Sequence, residues 1–413
     1  MLNKQQVEKV ISLKQKLEGE ARPPANKEVK FPESAYCGLA AEFAEVFSTY
    51  TETPKASYYI SFLTFLGLLF SGKVTLQSQL NVQPRLYVVI LGKSGIARKS
   101  EAIKQTARFF KSLVDGKPSW YPMMTGIGSV EGAADKWNME EKESGICRCL
   151  LCFDELKIFV DKAKTNGSIL LPMITSLFEQ NSYENITRTF KNVNLQNLHL
   201  GLIAACTIET YERMWEPQFL DIGFINRLFL VADAPDKRIA LPEEIPGHLI
   251  NPLREKTFRL IQHVANLPGV TKLVLTPEAK ELWSSWYRDM PQDIYAVRLD
   301  SIGLRLMPLL AVNEGSFSEV GAGIVRKVIA ILEYQYVTRK LYDPIDAETK
   351  TAQLEEKIRR ILSVQPATKR DLQRRTHANR IGLWFFNQAL NNLQANGEAF
   401  FDKKTRMYQL EIE

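Results

Sequence analysis

Apolar positions between residues 34 and 72 fall at helical spacing. Leu39, Phe43, Val46 and Phe47 form one stripe, and Ala56 to Gly72 follows without a single charge. Two or three helices are expected here. From Lys73 the period changes. Val74-Thr75-Leu76 alternates, and Leu86-Tyr87-Val88-Val89-Ile90-Leu91 is a short unbroken apolar run, as in a strand covered on both faces. A helix is expected from Ser100 to about Val114. Further buried strands are expected at Ile146 to Phe153, Leu198 to Ala205 and Arg227 to Val231, with helices at Ile169 to Gln180 and Thr207 to Met214 between them. Strands alternating with helices predict an α/β fold, a largely parallel sheet with helices on both faces. Pro242, Pro246, Pro252 and Pro268 mark a change of module, and residues 276 to 342 read as all-helical. No internal repeat is visible.

The stretch Ala56 to Gly72 is slightly short for a membrane span. Ser57, Tyr58, Tyr59, Ser61 and Thr64 dilute it, so it is expected as a buried helix, and no membrane association is expected. Met1 to Glu20 is charged throughout and reads as an exposed helix rather than a secretory signal, and Ala21 to Lys27 reads as a Pro-rich linker. The 413 residues, 45% hydrophobic and 24% charged, have the composition of a folded chain of two or three domains. Disordered, fibrous and polytopic membrane classes are excluded. The net charge of +6 permits nucleic acid without requiring it. Five cysteines in a long chain argue against a disulfide framework and for a reducing, cytoplasmic setting.

The sharpest local signal is Gly92-Lys93-Ser94-Gly95-Ile96-Ala97-Arg98-Lys99-Ser100, directly after a buried strand and opening a helix. Such a loop cradles phosphate with its backbone N–H groups and the helix N-terminus. Gly92, Gly95, Ile96, Ala97 and Arg98 would line it, Lys99 would contact the β- and γ-phosphates of ATP, and Ser100 would hold Mg²⁺. The match to G-x-x-x-x-G-K-[ST] is imperfect: the loop is one residue too long from Gly92, and Arg98 stands where the last Gly belongs. The blander reading is a strand-to-helix turn with surface cations.

Leu150-Leu151-Cys152-Phe153-Asp154-Glu155 is an apolar strand ending in two carboxylates. In P-loop ATPases an acidic pair at such a place binds the metal shell and polarises the attacking water, roles expected here of Asp154 and Glu155; the alternative is a strand ending in a solvated acidic turn. Thr207, ending a third strand, either orients that water or caps the following helix. Arg227 precedes the last strand. In ring ATPases an arginine there reaches the neighbouring subunit's nucleotide, and the alternative is an ordinary surface residue. Cys147, Cys149 and Cys152 are expected as buried thiols of a strand, not a metal site.

The order of these parts resembles AAA+-type P-loop ATPases, in the bacterial, phage and plasmid branch of unknown function that is related to primase-helicases. The resemblance covers about residues 34 to 340. Its residues are Tyr50-Thr51-Glu52-Thr53-Pro54, the loop from Gly92 to Ser100, Phe153-Asp154-Glu155 and Gly223-Phe224-Ile225-Asn226-Arg227. It implies a nucleotide-driven homo-oligomeric ring, commonly a hexamer, acting on DNA in the replication of a mobile element; no primase domain is evident in the sequence, so a separate primase is an expected partner. It further implies a DNA-contacting hairpin with Arg188 and Lys191, the alternative being an edge hairpin with solvated charges, and a lid arginine at Arg298 or Arg305, the alternative being ordinary helix-surface arginines.

Residues 354 to 410 read as three helices and two strands, which resembles a winged helix. Thr368 is expected to cap the second helix. Ile381 to Asn396 is expected as the third, burying Leu383, Phe386, Leu390 and Leu393, with Gly397 ending it. Arg374, Arg375, Arg380, Lys403, Lys404 and Arg406 are expected to meet DNA phosphates, and Asn387 and Gln388 base edges. Winged helices also dock proteins. The expected domains are an N-terminal helix and linker (1–33), a helical collar (34–72), a P-loop α/β core (73–235), a helical lid (236–345) and a winged helix (351–413). The expected function is an ATP-hydrolysing, helicase-like motor. The alternative is a slow or non-hydrolysing nucleotide switch that regulates or loads.

Overall fold

The computed structural model describes residues 29–93, 98–113, 123–127, 130–165, 167–185, 193–345 and 349–411. They divide into a larger unit, up to residue 345, and a smaller C-terminal unit from 349. The segments expected as collar, core and lid fall together in the larger unit. The expected N-terminal helix lies outside the described residues.

The larger unit opens with α1 (Gly38–Thr49), α2 (Lys55–Phe70), β1 (Val74–Leu76), β2 (Tyr87–Gly92) and α3 (Lys99–Leu113). Next come β3 (Met123–Met124), α4 (Val130–Ser144), β4 (Cys147–Phe153), α5 (Leu156–Ala163) and α6 (Leu170–Glu179). A hairpin of β5 (Tyr183–Asn185) and β6 (Val193–Leu195) precedes β7 (Leu198–Thr207), α7 (Ile208–Tyr211), α8 (Pro217–Asp221) and β8 (Leu228–Val231). The unit ends with α9 (Gly247–Ala265), β9 (Thr271–Leu275), α10 (Pro277–Asp289), α11 (Leu299–Asn313), β10 (Glu319–Val320) and α12 (Ala322–Tyr342).

The central sheet is mostly buried and runs β3-β4-β7-β2-β8, with every neighbouring pair parallel. The fold is therefore mixed α/β, with helices flanking a parallel sheet. The strand expected at 74–76 is present and pairs with β9 in a separate parallel sheet, β1-β9-β10. Alternation identifies a strand without naming its partner. The segment expected as all-helical contains β10, two residues long and too short to show a period.

Helix α2 is the floor of the unit. It is buried on all sides, which explains its lack of charge beyond Lys55. Its Phe62 and Phe65 meet Phe110 of α3, and Phe65 and Phe110 stack with ring centroids 5.3 Å apart. Phe43 and Phe109 add to this layer, 4.9 Å apart edge to face. Each fully buried Phe contributes about 1.5–3 kcal/mol. The layer thus fixes α3, whose buried positions Ala102, Ile103, Thr106, Phe109 and Phe110 share one face. Among the described residues, no helix is long and apolar enough to cross a membrane.

The C-terminal unit comprises α13 (Lys350–Val364), α14 (Lys369–Arg375), α15 (Ala378–Ile381), α16 (Leu383–Ala395) and an antiparallel pair, β11 (Ala399–Asp402) and β12 (Met407–Leu410). Leu354, Ile358, Leu372, Phe386, Leu390 and Leu393 form a core of its own. Thr368 caps α14 by accepting the Asp371 N–H at 3.2 Å, and Gly397, at φ +76°, follows α16. The third helix starts later than expected. Gly382, at φ +125°, breaks the chain direction, and Leu383 is 46% exposed, not buried.

This packing sets two expectations for stability. A Cβ on Gly67 of α2 would lie 2.2 Å from the Pro84 carbonyl oxygen, so Gly67→Ala is expected to cost about 1–3 kcal/mol in denaturant unfolding. Asp233 accepts the Phe31 N–H at 3.0 Å and the Tyr334 hydroxyl at 3.2 Å, and burial pushes its carboxyl up to about 6. The folded state therefore holds a proton that the unfolded chain releases near pH 4, and this contribution to stability fades as pH rises to about 6. The melting temperature of Asp233→Asn relative to the parent is expected to increase from pH 4 to pH 7. A difference that stays flat contradicts the assignment.

Candidate active site

In the central sheet β2 lies between β7 and β8, while the chain leaving β2 continues to β3 at the far edge. Connections thus part at the carboxyl end of β2, where open parallel sheets form their binding crevice. Register places the ends level. Gly92 pairs with Thr207, and Phe153 pairs with Ala204, so Gly92, Asp154, Glu155 and Thr207 share one edge. Lys99 opens α3 at this edge. Its Nζ donates to the Lys93 carbonyl at 3.3 Å. Burial holds its ammonium below the ordinary lysine value, although the Glu155 and Glu209 carboxylates favour its charge. Ser100 Oγ donates to the Asp154 carbonyl at 3.4 Å. The Asp154 carboxylate, exposed, pairs with Lys104 at 3.1 Å. Oε1 of Glu155 is buried and finds no hydrogen-bond partner among the described residues. The Glu155 carboxylate lies near Cys206, whose thiol is pushed up by burial first and by this charge second. Thr207 caps α7 by accepting the Thr210 N–H at 3.1 Å, and it ends β7 level with Gly92.

Arg98 explains the irregular loop. Its φ is +44°, a conformation that glycine adopts freely and other residues rarely do. The position where the phosphate-loop pattern wants glycine is thus shaped for glycine, yet carries arginine. Arg98 Nε pairs with Glu52 at 3.1 Å, and its carbonyl accepts the Thr53 hydroxyl at 3.4 Å. Glu52 also accepts the Ile239 N–H at 2.8 Å, and that bond first and Arg98 second hold its carboxyl below the ordinary value. Gly95, Ile96 and Ala97 lie outside the described residues.

Two expected site residues stand at the opposite edge. Arg305 is buried. It donates to the carbonyls of Gln83 at 3.1 Å and Phe178 at 2.7 Å, lies over the Phe178 ring and pairs with Glu179 at 3.1 Å. Gln83 precedes β2, so Arg305 sits beyond the amino ends of the strands, where it satisfies one carbonyl at the end of α6, that of Phe178. Arg305, expected as a lid arginine on phosphate, here binds these carbonyls and Glu179 instead. Arg227 precedes β8, whose Leu228 is level with Tyr87, and so also lies at the amino edge. It donates to the Gly223 carbonyl at 2.8 Å and faces Glu179 at 3.9 Å. Glu179 binds Arg298 as well, at 2.6 Å.

No protein-family model matches the chain, and no curated protein matches it either.

The remaining expected contacts are cations. Arg188 and Lys191 lie outside the described residues, although β5 and β6 form the expected hairpin arms. Arg374, Arg380, Lys403, Lys404 and Arg406 are exposed, and Arg375 is half-buried. Arg374 pairs with Asp371 at 2.9 Å. Asp402 shapes the hairpin tip, accepting the Lys404 N–H at 2.8 Å and the Thr405 hydroxyl at 2.7 Å. Cys147, Cys149 and Cys152 are buried thiols of β4. Sequence reasoning missed Lys104, although its place four residues after Ser100 puts both on one helix face. It also missed Glu179, the carboxylate shared by three arginines, which no local pattern marks.

The geometry at Arg98 gives a direct comparison. Both Arg98→Gly and Arg98→Ala lose the bond to Glu52, but only glycine accepts the positive φ without strain. The Gly variant is expected to unfold at higher denaturant than the Ala variant, by about 1 kcal/mol. Equal stability would contradict a left-handed backbone at this position.

Proposed function

We propose that the chain is an ATP-dependent, DNA-acting motor of a mobile genetic element, a helicase-like AAA+ ATPase with a P-loop core and a C-terminal winged helix. The observation that carries this reading is the meeting of Lys99, Ser100, Asp154, Glu155 and Thr207 at the carboxyl edge of a parallel sheet. They come from three separate stretches of sequence. Lys99 binds the terminal phosphates at the N-terminus of α3. Glu155, with its buried and unpartnered oxygen, is the base that takes a proton from water, and Thr207 holds that water. Ser100 and Asp154 supply hard oxygen donors, the set that suits Mg²⁺, and bound Mg²⁺ supplies charge neutralisation at the phosphates. Arg227 lies at the amino edge, away from Lys99 of its own chain, as a residue acting on a neighbouring copy in a ring would. The helices, the β11–β12 hairpin and the exposed cations of the C-terminal unit support a DNA contact.

One observation favours the slower alternative, a nucleotide switch. The Asp154 carboxylate is paired with Lys104, and Lys99 is bonded to a carbonyl of its own loop. Turnover separates the two. ATP hydrolysis by the full chain is expected to rise with DNA. Lys99→Ala is expected to lose ATP binding, and Glu155→Gln to keep binding while losing about 10²–10³-fold in turnover. Parent-like turnover in Glu155→Gln overturns the assigned chemistry, and tight binding without turnover in the parent favours the switch.

A further inference from the structure

We infer that the outer face of α16 seats unpaired DNA bases, with Trp384 as the stacking ring. The inference rests on the reading of the C-terminal unit as DNA-binding and names which form of DNA it prefers. α16 carries no charged residue. Its inner face is Phe386, Ala389, Leu390 and Leu393, and its outer face presents Asn387, Gln388, Asn391 and Gln394, all exposed. Trp384, in the first turn, lies on the same side at i, i+3, i+4 and i+7 spacing. It is 68% exposed, and its ring meets Phe385 edge to face at 5.0 Å. Gln388 donates to Asn392, which in turn donates to Glu355 at 2.6 Å.

Charge selects the occupant. From Lys369 to Arg380, the two short helices α14 and α15 that lead into α16, the sequence holds Lys369, Arg370, Arg374, Arg375 and Arg380 against Asp371 alone. An acid-free face entered through such cations suits a polyanion and repels none of its phosphates. The ring decides between forms of DNA. In a duplex both faces of each base are covered by its neighbours, so an indole finds no open π-surface, whereas an unstacked base offers one. Amide side chains both donate and accept, and so satisfy base edges released from pairing.

The test uses the full chain and two labelled probes, an oligothymidylate and a blunt duplex of equal length, at one fixed salt concentration. Trp384→Ala is expected to bind the single strand about tenfold more weakly while its duplex affinity and thermal melting stay unchanged. Trp384→Phe, which keeps a ring, is expected to retain most of the single-strand affinity. The salt dependence of binding should not change in either variant, because no charge is removed. Equal losses on both probes, or none on the single strand, overturn the inference while leaving the DNA reading intact, and the second result points to a protein partner for the ring. A parent chain that binds neither probe overturns the DNA reading itself.

Discussion

The parallel pairing of β2 with β7 sets Gly92 level with Thr207, and the rest of the carboxyl edge depends on that register. A slip of one residue would turn every side chain of β2 to the other face. It would also move the loop that follows, and with it the start of α3. The register is secured by burial: Tyr87 to Leu91 are covered on both faces, and the Phe43, Phe62, Phe65, Phe109 and Phe110 layer clamps α3 to α2. Lys99 and Ser100 are therefore placed by apolar packing several residues away, not by their own contacts, which are single hydrogen bonds at 3.3 and 3.4 Å.

Arg98 shows how a departure from a motif can be reconciled with its geometry. The left-handed backbone is what the pattern's glycine provides, and an arginine there stores strain of about 1 kcal/mol. The contacts of Arg98 with Glu52 and Thr53 hold that strain in place. They tie the loop to the turn between α1 and α2, the Tyr50 to Pro54 segment that stood out in the sequence without an assigned task. The same Glu52 reaches Ile239, so one carboxylate joins the loop to the chain that follows β8.

Strands covered on both faces were legible because a short, continuous apolar run between turn residues is the pattern that only double coverage demands. β2, β4, β7 and β8 lie within two residues of expectation at either end. The acids after β4 were legible because a strand end fixes where its next residue points, and Lys99 because a Lys-Ser pair opens the amphipathic helix that follows β2. The contacts of Arg305 were not legible, for the opposite reason. On a helix an arginine has no positional meaning until its partners are known, and the decisive partners here, the Gln83 and Phe178 carbonyls, are over a hundred residues away in sequence. Leu383 was misread because helical spacing alone does not say where a helix begins, and Gly382 delays the start.

The two edges of the sheet carry different chemistry. The carboxyl edge gathers Lys99, Glu155 and Thr207, and the amino edge gathers Arg227, Arg298 and Arg305 around Glu179. Tyr87, level with Leu228 just after Arg227, lies five residues before Gly92, or about 17 Å along an extended strand. No side chain spans that distance, so Lys99 and Arg227 of one chain cannot act on one phosphate. If both serve the same reaction, two copies must meet edge to edge, the amino edge of one against the carboxyl edge of the next. Such head-to-tail contacts close into rings when the rotation permits. Arg227 must then give up its carbonyl bond to Gly223 and its share of Glu179. Glu179 keeps two other guanidinium partners when Arg227 leaves, so the exchange does not strand a half-buried carboxylate without a counter-charge.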